Sequence, residues 1–145
     1  MRVAEAFAVE GTEVEFWIPR RRNVLKAFDP FTYHLIERNF RFRYLPVIDL
    51  MGVVPGGFTF LLMLASFSVS VFFRALFENS RSIYYFFDLR DAWALLLLPR
   101  RAFSEIHMYY KSSLSVVNRW GFKRMRGIIA ATKPLRDEIR REYSV

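Results

Sequence analysis

The stretch Leu50 to Phe73, LMGVVPGGFTFLLMLASFSVSVFF, runs for 24 residues without a charge, and its reading decides the fold. About 20 predominantly apolar residues suffice to cross the hydrocarbon core of a bilayer as a helix. Pro55 and the Gly56-Gly57 pair interrupt regular structure, and proline suits a helix's first turn, so the span is expected at 55–78. From Gly56 to Phe73 a helix rises about 27 Å, and Arg74 can then snorkel to the far headgroups. Ala65, Ser66, Ser68 and Ser70 fall in the middle, where small and hydroxylated residues permit close packing and hydrogen bonds across a contact. Gly56 and Gly57 offer the same close approach at the helix start. A domain of this size rarely has enough core to hide such a run on every side, so a single transmembrane helix is the reading adopted. Ala92 to Pro99, AWALLLLP, is too short for a second span and follows Asp88, Arg90 and Asp91; a short interfacial or protein-buried segment is expected there.

Outward from the span the chain is basic, with 22 Lys plus Arg against 14 Asp plus Glu in 145 residues, and it has no cysteine. The missing thiols exclude a disulfide framework, a thiolate zinc site, an iron–sulfur cluster and a cysteine nucleophile. A hydrophobic content of 53% excludes a disordered tail. Residues 1–19 hold four glutamates and one basic residue, the opposite of an arginine-rich transit peptide, so no cleavable presequence is expected. A basic, aromatic stretch follows. Asp29-Pro30 can serve as N-cap and first helical residue, and Phe31, Leu35, Ile36, Asn39 and Phe40 recur at helical spacing. An amphipathic helix approaching the membrane is expected, with Arg41, Arg43 and Tyr44 at the headgroups as lipid contacts.

Beyond the span, Phe103, Ile106, Tyr110, Leu114 and Val117 step by three and four, which predicts a helix of roughly five turns. Gly121 marks an expected stop or kink, Phe122, Met125, Ile128 and Ile129 make a shorter stripe, Pro134 ends it, and 135–143 is a final charged turn or two. The expected fold is therefore all-α: one transmembrane helix flanked by amphipathic or interfacial helices, with no independent globular core. The organisation is an arm at 1–54, the span at 55–78 and a helical extension at 79–145. Near the span, three basic residues on each side leave the orientation undecided by charge.

Chemistry is scarce. His34-x-x-Glu37 lacks a second histidine, and Glu105-x-His107 would point in different directions on a helix. No phosphate loop, nucleophile elbow or paired-carboxylate motif occurs, so neither catalysis, metal nor cofactor is expected. Arg and Phe interleave in NFRFRY as on a nucleic-acid surface, yet their place before the span makes anionic headgroups the better partner, and no nucleic acid is expected.

The order of Phe28-Asp29-Pro30, a short amphipathic helix, Arg41-Phe42-Arg43-Tyr44 and Gly56-Gly57-Phe58-Thr59 opening a single span resembles subunit f of the mitochondrial F-type ATP synthase. The resemblance covers residues 24–78; the 67 residues after Glu78 exceed the familiar subunit. It implies a non-catalytic subunit of the proton-translocating Fo sector in the mitochondrial inner membrane, its amino-terminal arm in the matrix. Its neighbours would be subunit a and the peripheral stalk, with a role in stator support and dimerisation. It also makes Arg41, Arg43 and Arg74 candidates for cardiolipin contacts. A supernumerary subunit of a respiratory-chain complex, or a one-span basic tether for nucleic acid or an anionic surface, has the same anatomy.

Overall fold

Two strands of this chain, RFRYL at 41–45 and RAFSEI at 101–106, alternate between charged or polar and apolar residues, as suits an extended backbone whose successive side chains face opposite ways. The computed structural model describes residues 1–21, 29–54, 57–107 and 115–144. The chain divides into two units, residues 1–67 and 68–145. Both contain parallel β-structure, which overturns the all-α expectation and the expectation of no core of its own.

In the first unit, helix α1 (Arg2–Val9) precedes strand β1 (Glu15–Pro19), the short helix α2 (Pro30–His34) and strand β2 (Arg41–Leu45). β1 and β2 pair in parallel, with Glu15 opposite Arg41 and Trp17 opposite Arg43. The register matches acids to bases: Arg43 pairs with Glu15 at 2.7 Å, and Arg41 pairs with Glu13. The stretch expected to approach the membrane as a helix is thus a strand, because Arg41, Phe42 and Arg43 alternate and the acidic partner strand supplies the matching charges. Asp29 caps α2 as expected, accepting from Thr32 N at 2.9 Å, with Pro30 in the first turn. The helix ends after one turn because Leu35 turns left-handed (φ 51°), and Ile36 and Phe40 leave the helical stripe for the core. That core joins Ala4, Ile36 and Phe40 to Phe16, Phe31 and Phe42, with Phe31 and Phe42 edge to face at 4.9 Å.

The long helix α3 (Gly57–Leu76) begins in the first unit and ends in the second. Residues 55 and 56, where the span was expected to open, lie outside the described residues, so Gly56 receives no structural account.

In the second unit, β3 (Ile83–Phe86), β4 (Arg101–Ile106) and β5 (Gly127–Ala130) form a parallel sheet in that order. α4 (Leu89–Ala92) and a 3-10 turn at Leu95–Leu97 link the first pair, α5 (Ser115–Arg124) lies between the second, and α6 (Lys133–Tyr143) follows. On β4, Ala102 and Ser104 are fully buried, whereas Phe103 and Glu105 lie on the other face. This alternation overrides the helical spacing read from Phe103 to Val117; Tyr110 and Leu114 lie outside the described residues. Ile128 and Ile129 likewise belong to β5.

Gly121 neither stops nor kinks α5: it sits inside the helix, where a Cβ would meet Leu89 Cδ1 at 3.0 Å, so its missing side chain permits the close approach. Pro134 opens α6 rather than ending a helix, with Thr132 as N-cap. Leu135, Ile139 and Tyr143, one helical turn apart, are buried and make α6 a full amphipathic helix instead of a loose turn. Leu95 and Leu96 are buried as well, in agreement with a protein-buried reading of that short apolar run.

Candidate functional site

The helix α3 defines the site, and it has two unlike faces. Thr59, Met63, Phe67, Val71 and Ala75 recur every fourth residue and are buried. Between them Phe58, Leu61, Ala65, Val69, Phe73 and Leu76 form an exposed stripe with no charged or hydrogen-bonding side chain. Phe58 is 75% exposed and Phe73 56%. From Phe58 to Leu76 the stripe rises about 27 Å. It is the one helix among the described residues long and apolar enough to cross a membrane.

Two serines on α3 accept hydrogen bonds from backbone outside the helix. Ser66 Oγ accepts from Ile48 N at 2.9 Å and donates to Met63 O at 2.9 Å. In the second unit, Ser68 Oγ accepts from Ala94 N at 2.9 Å. Ile48 lies in an irregular segment of the first unit and is half exposed, and Ala94 lies in a turn of the second. Ser66 and Ser70 are half-buried on this helix, and Ala65 lies on the exposed stripe. A Cβ built on Gly57 meets nothing within 4 Å among the described residues.

The arginines named as lipid contacts differ in their surroundings. Arg41 and Arg43 are exposed on β2 but ion-paired to Glu13 and Glu15, which offsets their charge toward any external anion. Tyr44 is 54% exposed on the same strand. Arg74 lies in the last turn of α3 and pairs with Glu78 across one helical turn. Toward the carboxy-terminal end of the same helix, Arg100 Nη2 donates to Ala75 O at 2.7 Å and to Glu78 O at 3.2 Å. At the helix end it adds a charged donor to the Ala75 carbonyl, which also accepts from Glu78 N at 3.3 Å, and reaches the Glu78 carbonyl.

One arrangement escaped the sequence reading. Glu105 and His107 would face different ways on a helix, but residues two apart share a face on extended chain, and His107 directly follows β4, which ends at Ile106. His107 Nε2 lies 3.0 Å from Glu105 Oε1, and Tyr85 Oη donates to Glu105 Oε2 at 2.6 Å. Burial, helped by this bond to the carboxylate, raises the Tyr85 hydroxyl well above the usual phenol range. The Tyr85–Glu105 bond ties β3 to β4. No group of three histidine, aspartate or glutamate side chains able to hold a metal occurs among the described residues. His34 and Glu37 are not one helical turn apart in space, because the left-handed Leu35 intervenes; Glu37 N instead donates to Glu5 Oε1 at 2.7 Å.

Asp88 caps α4 and is gripped by the Arg90 guanidinium, with Nε 3.0 Å from both carboxylate oxygens. Asp91 beside them is pushed up to about 6, by burial first and by the Asp88 charge second. In comparison with known proteins, no family model, no curated protein and no solved structure matches this chain.

Proposed function

We propose that this chain is a single-span membrane protein with a structural, non-catalytic role, in which α3 crosses the bilayer and the α/β unit after it engages the rest of an assembly. The apolar outer stripe of α3 carries this reading. A core helix of a soluble domain buries one face and presents polar side chains on the other. Here the face turned away from the protein is as apolar as the face turned toward it, over a length that matches the hydrocarbon thickness. Lipid is the solvent that suits such a surface.

The assembly we infer is the Fo sector of the mitochondrial ATP synthase, in the inner membrane with the amino-terminal arm in the matrix. Its support is the order of Phe28-Asp29-Pro30, Arg41 to Tyr44 and Gly56 to Thr59 ahead of one span. The chain itself moves no protons on this reading, because α3 contains no ionisable side chain before Arg74. The test is a carboxy-terminal tag, mild detergent and identification of what co-migrates on a native gel. Resistance to alkaline carbonate is expected, together with migration in the ATP synthase dimer or monomer bands. Migration with a respiratory complex would keep the anatomy and discard the subunit f assignment. Release by carbonate would remove the span.

A further inference from the structure

The second unit is electrostatically polar along its strands. Arg101 opens β4 in register with Ile83, the first residue of β3. Arg81 lies two residues ahead of Ile83, and Arg126 lies one residue ahead of β5, its N donating to Ala102 O at 2.8 Å. Arginines thus precede or open all three strands at the amino-terminal edge of the sheet, and all three are exposed. None has a carboxylate partner among the described residues. The acids of the sheet region sit at the opposite edge, with Asp88 and Asp91 after β3 and Glu105 near the end of β4. Glu78, the acid near the basic edge, is already paired with Arg74.

The basic edge adjoins the carboxy-terminal end of α3. Arg100, next to Arg101, reaches the carbonyls of Ala75 and Glu78, and Arg81 follows Glu78 by three residues. Arg74 lies 17 residues beyond Gly57, about 26 Å along the axis, which is headgroup depth for a helix that enters at its other end.

We propose that Arg81, Arg101 and Arg126 form a collar around the exit of the span that binds the phosphate groups of anionic phospholipid. The proposal rests on the reading of α3 as a span and adds to it a lipid class and a site. Guanidinium groups suit phosphate because their planar fork donates in pairs. A basic residue at an anionic surface contributes about 1 kcal/mol, or roughly fivefold in preference. Arg41 and Arg43, paired to glutamates, contribute less of this preference than the collar does.

The experiment uses the full chain reconstituted in nanodiscs of phosphatidylcholine mixed with phosphatidylglycerol, with the lipids retained by the protein counted by native mass spectrometry. Wild type is expected to retain phosphatidylglycerol over phosphatidylcholine, and the triple change Arg81→Gln, Arg101→Gln, Arg126→Gln to lower that preference at least about tenfold. The corresponding triple change to lysine keeps the charge and is expected to keep most of the preference, which separates lipid binding from misfolding. An unchanged preference in the glutamine variant, with carbonate resistance intact, overturns the collar and leaves the span. Loss of carbonate resistance in wild type overturns both. Inorganic phosphate at constant ionic strength distinguishes the source: displacement of the lipid by millimolar phosphate would show a soluble phosphate site and overturn the lipid assignment. An oligonucleotide that binds the wild type in nanodiscs more tightly than the lipid does would overturn it as well.

Discussion

Replacing Val69 by aspartate separates a membrane helix from a soluble one, because the two predict opposite outcomes at the same atom. Val69 lies on the outer stripe of α3, 48% exposed, within about 4 Å along the axis of the helix midpoint. If the stripe faces water, a carboxylate there meets solvent, and a surface substitution of this kind changes stability by at most about 0.5 kcal/mol. If it faces lipid, the charge sits near the bilayer centre. Insertion scales place valine at about −0.3 to −0.6 and aspartate at about +2.5 to +3.5 kcal/mol there, so the change costs roughly 3–4 kcal/mol. At about 1.4 kcal/mol per factor of ten, the insertion equilibrium shifts by more than a hundredfold. The assay is translocon insertion of the full chain, read by glycosylation of acceptor sites engineered in either flank. Carbonate extraction serves as a second readout. Val69→Ala is the control and should insert nearly as well as wild type. Full insertion of Val69→Asp, or a wild-type chain that is soluble and becomes more so with the aspartate, would refute the lipid-facing assignment.

Further outcomes follow from individual contacts in the second unit. Asp91 has a pKa of about 6 in the folded chain against 3.8 as its ordinary value, so between these values the folded state binds more protons than the unfolded state. Stability should therefore fall as pH rises from about 4 through 6 and stay lower above. Asp91→Asn should flatten that slope and stabilise at pH 7 by up to about 3 kcal/mol, measured as thermal melts across pH in detergent. Ser104 is fully buried and its hydroxyl has no hydrogen-bond partner among the described residues, so Ser104→Ala should raise the melting temperature by the equivalent of about 1 kcal/mol. A drop would mean that the hydroxyl has a partner. Arg100→Ala should remove the charged donor from the Ala75 and Glu78 carbonyls, leaving Ala75 O with its bond from Glu78 N alone, at a cost of about 1–2 kcal/mol. Hydrogen exchange should then accelerate in the last turn of α3 while its first turns stay protected.

Local features were legible before the structure. The capping of α2 by Asp29 depends on residues three apart, and α3 on an unbroken apolar run, so both can be read from adjacent residues. The strands could not be read in this way. β3, β4 and β5 take their hydrogen bonds from parallel partners in register positions separated by 18 to 24 residues of chain. A parallel ladder leaves little local trace, since IYYF and GIIA are short apolar runs without alternation and of the three RAFSEI alone alternates. In RAFSEI that alternation coexists with apolar residues three apart, which also fit a helix, and only the neighbouring strands decide between the two. The Tyr85–Glu105–His107 contact was hidden for the same reason, since residues two apart meet on a strand and diverge on a helix.

By itself the sequence determined where the one long apolar helix lies, that no thiol chemistry is present and that the chain as a whole is basic, since each of these is a property of composition or of contiguous residues. Only the tertiary structure decided which face of α3 stays exposed, which arginines are paired and which edge of the sheet is basic. Each depends on what a distant segment brings alongside: Glu13 and Glu15 reach Arg41 and Arg43 through the pairing of β1 with β2, and Arg81, Arg101 and Arg126 gather at one edge through that of β3, β4 and β5.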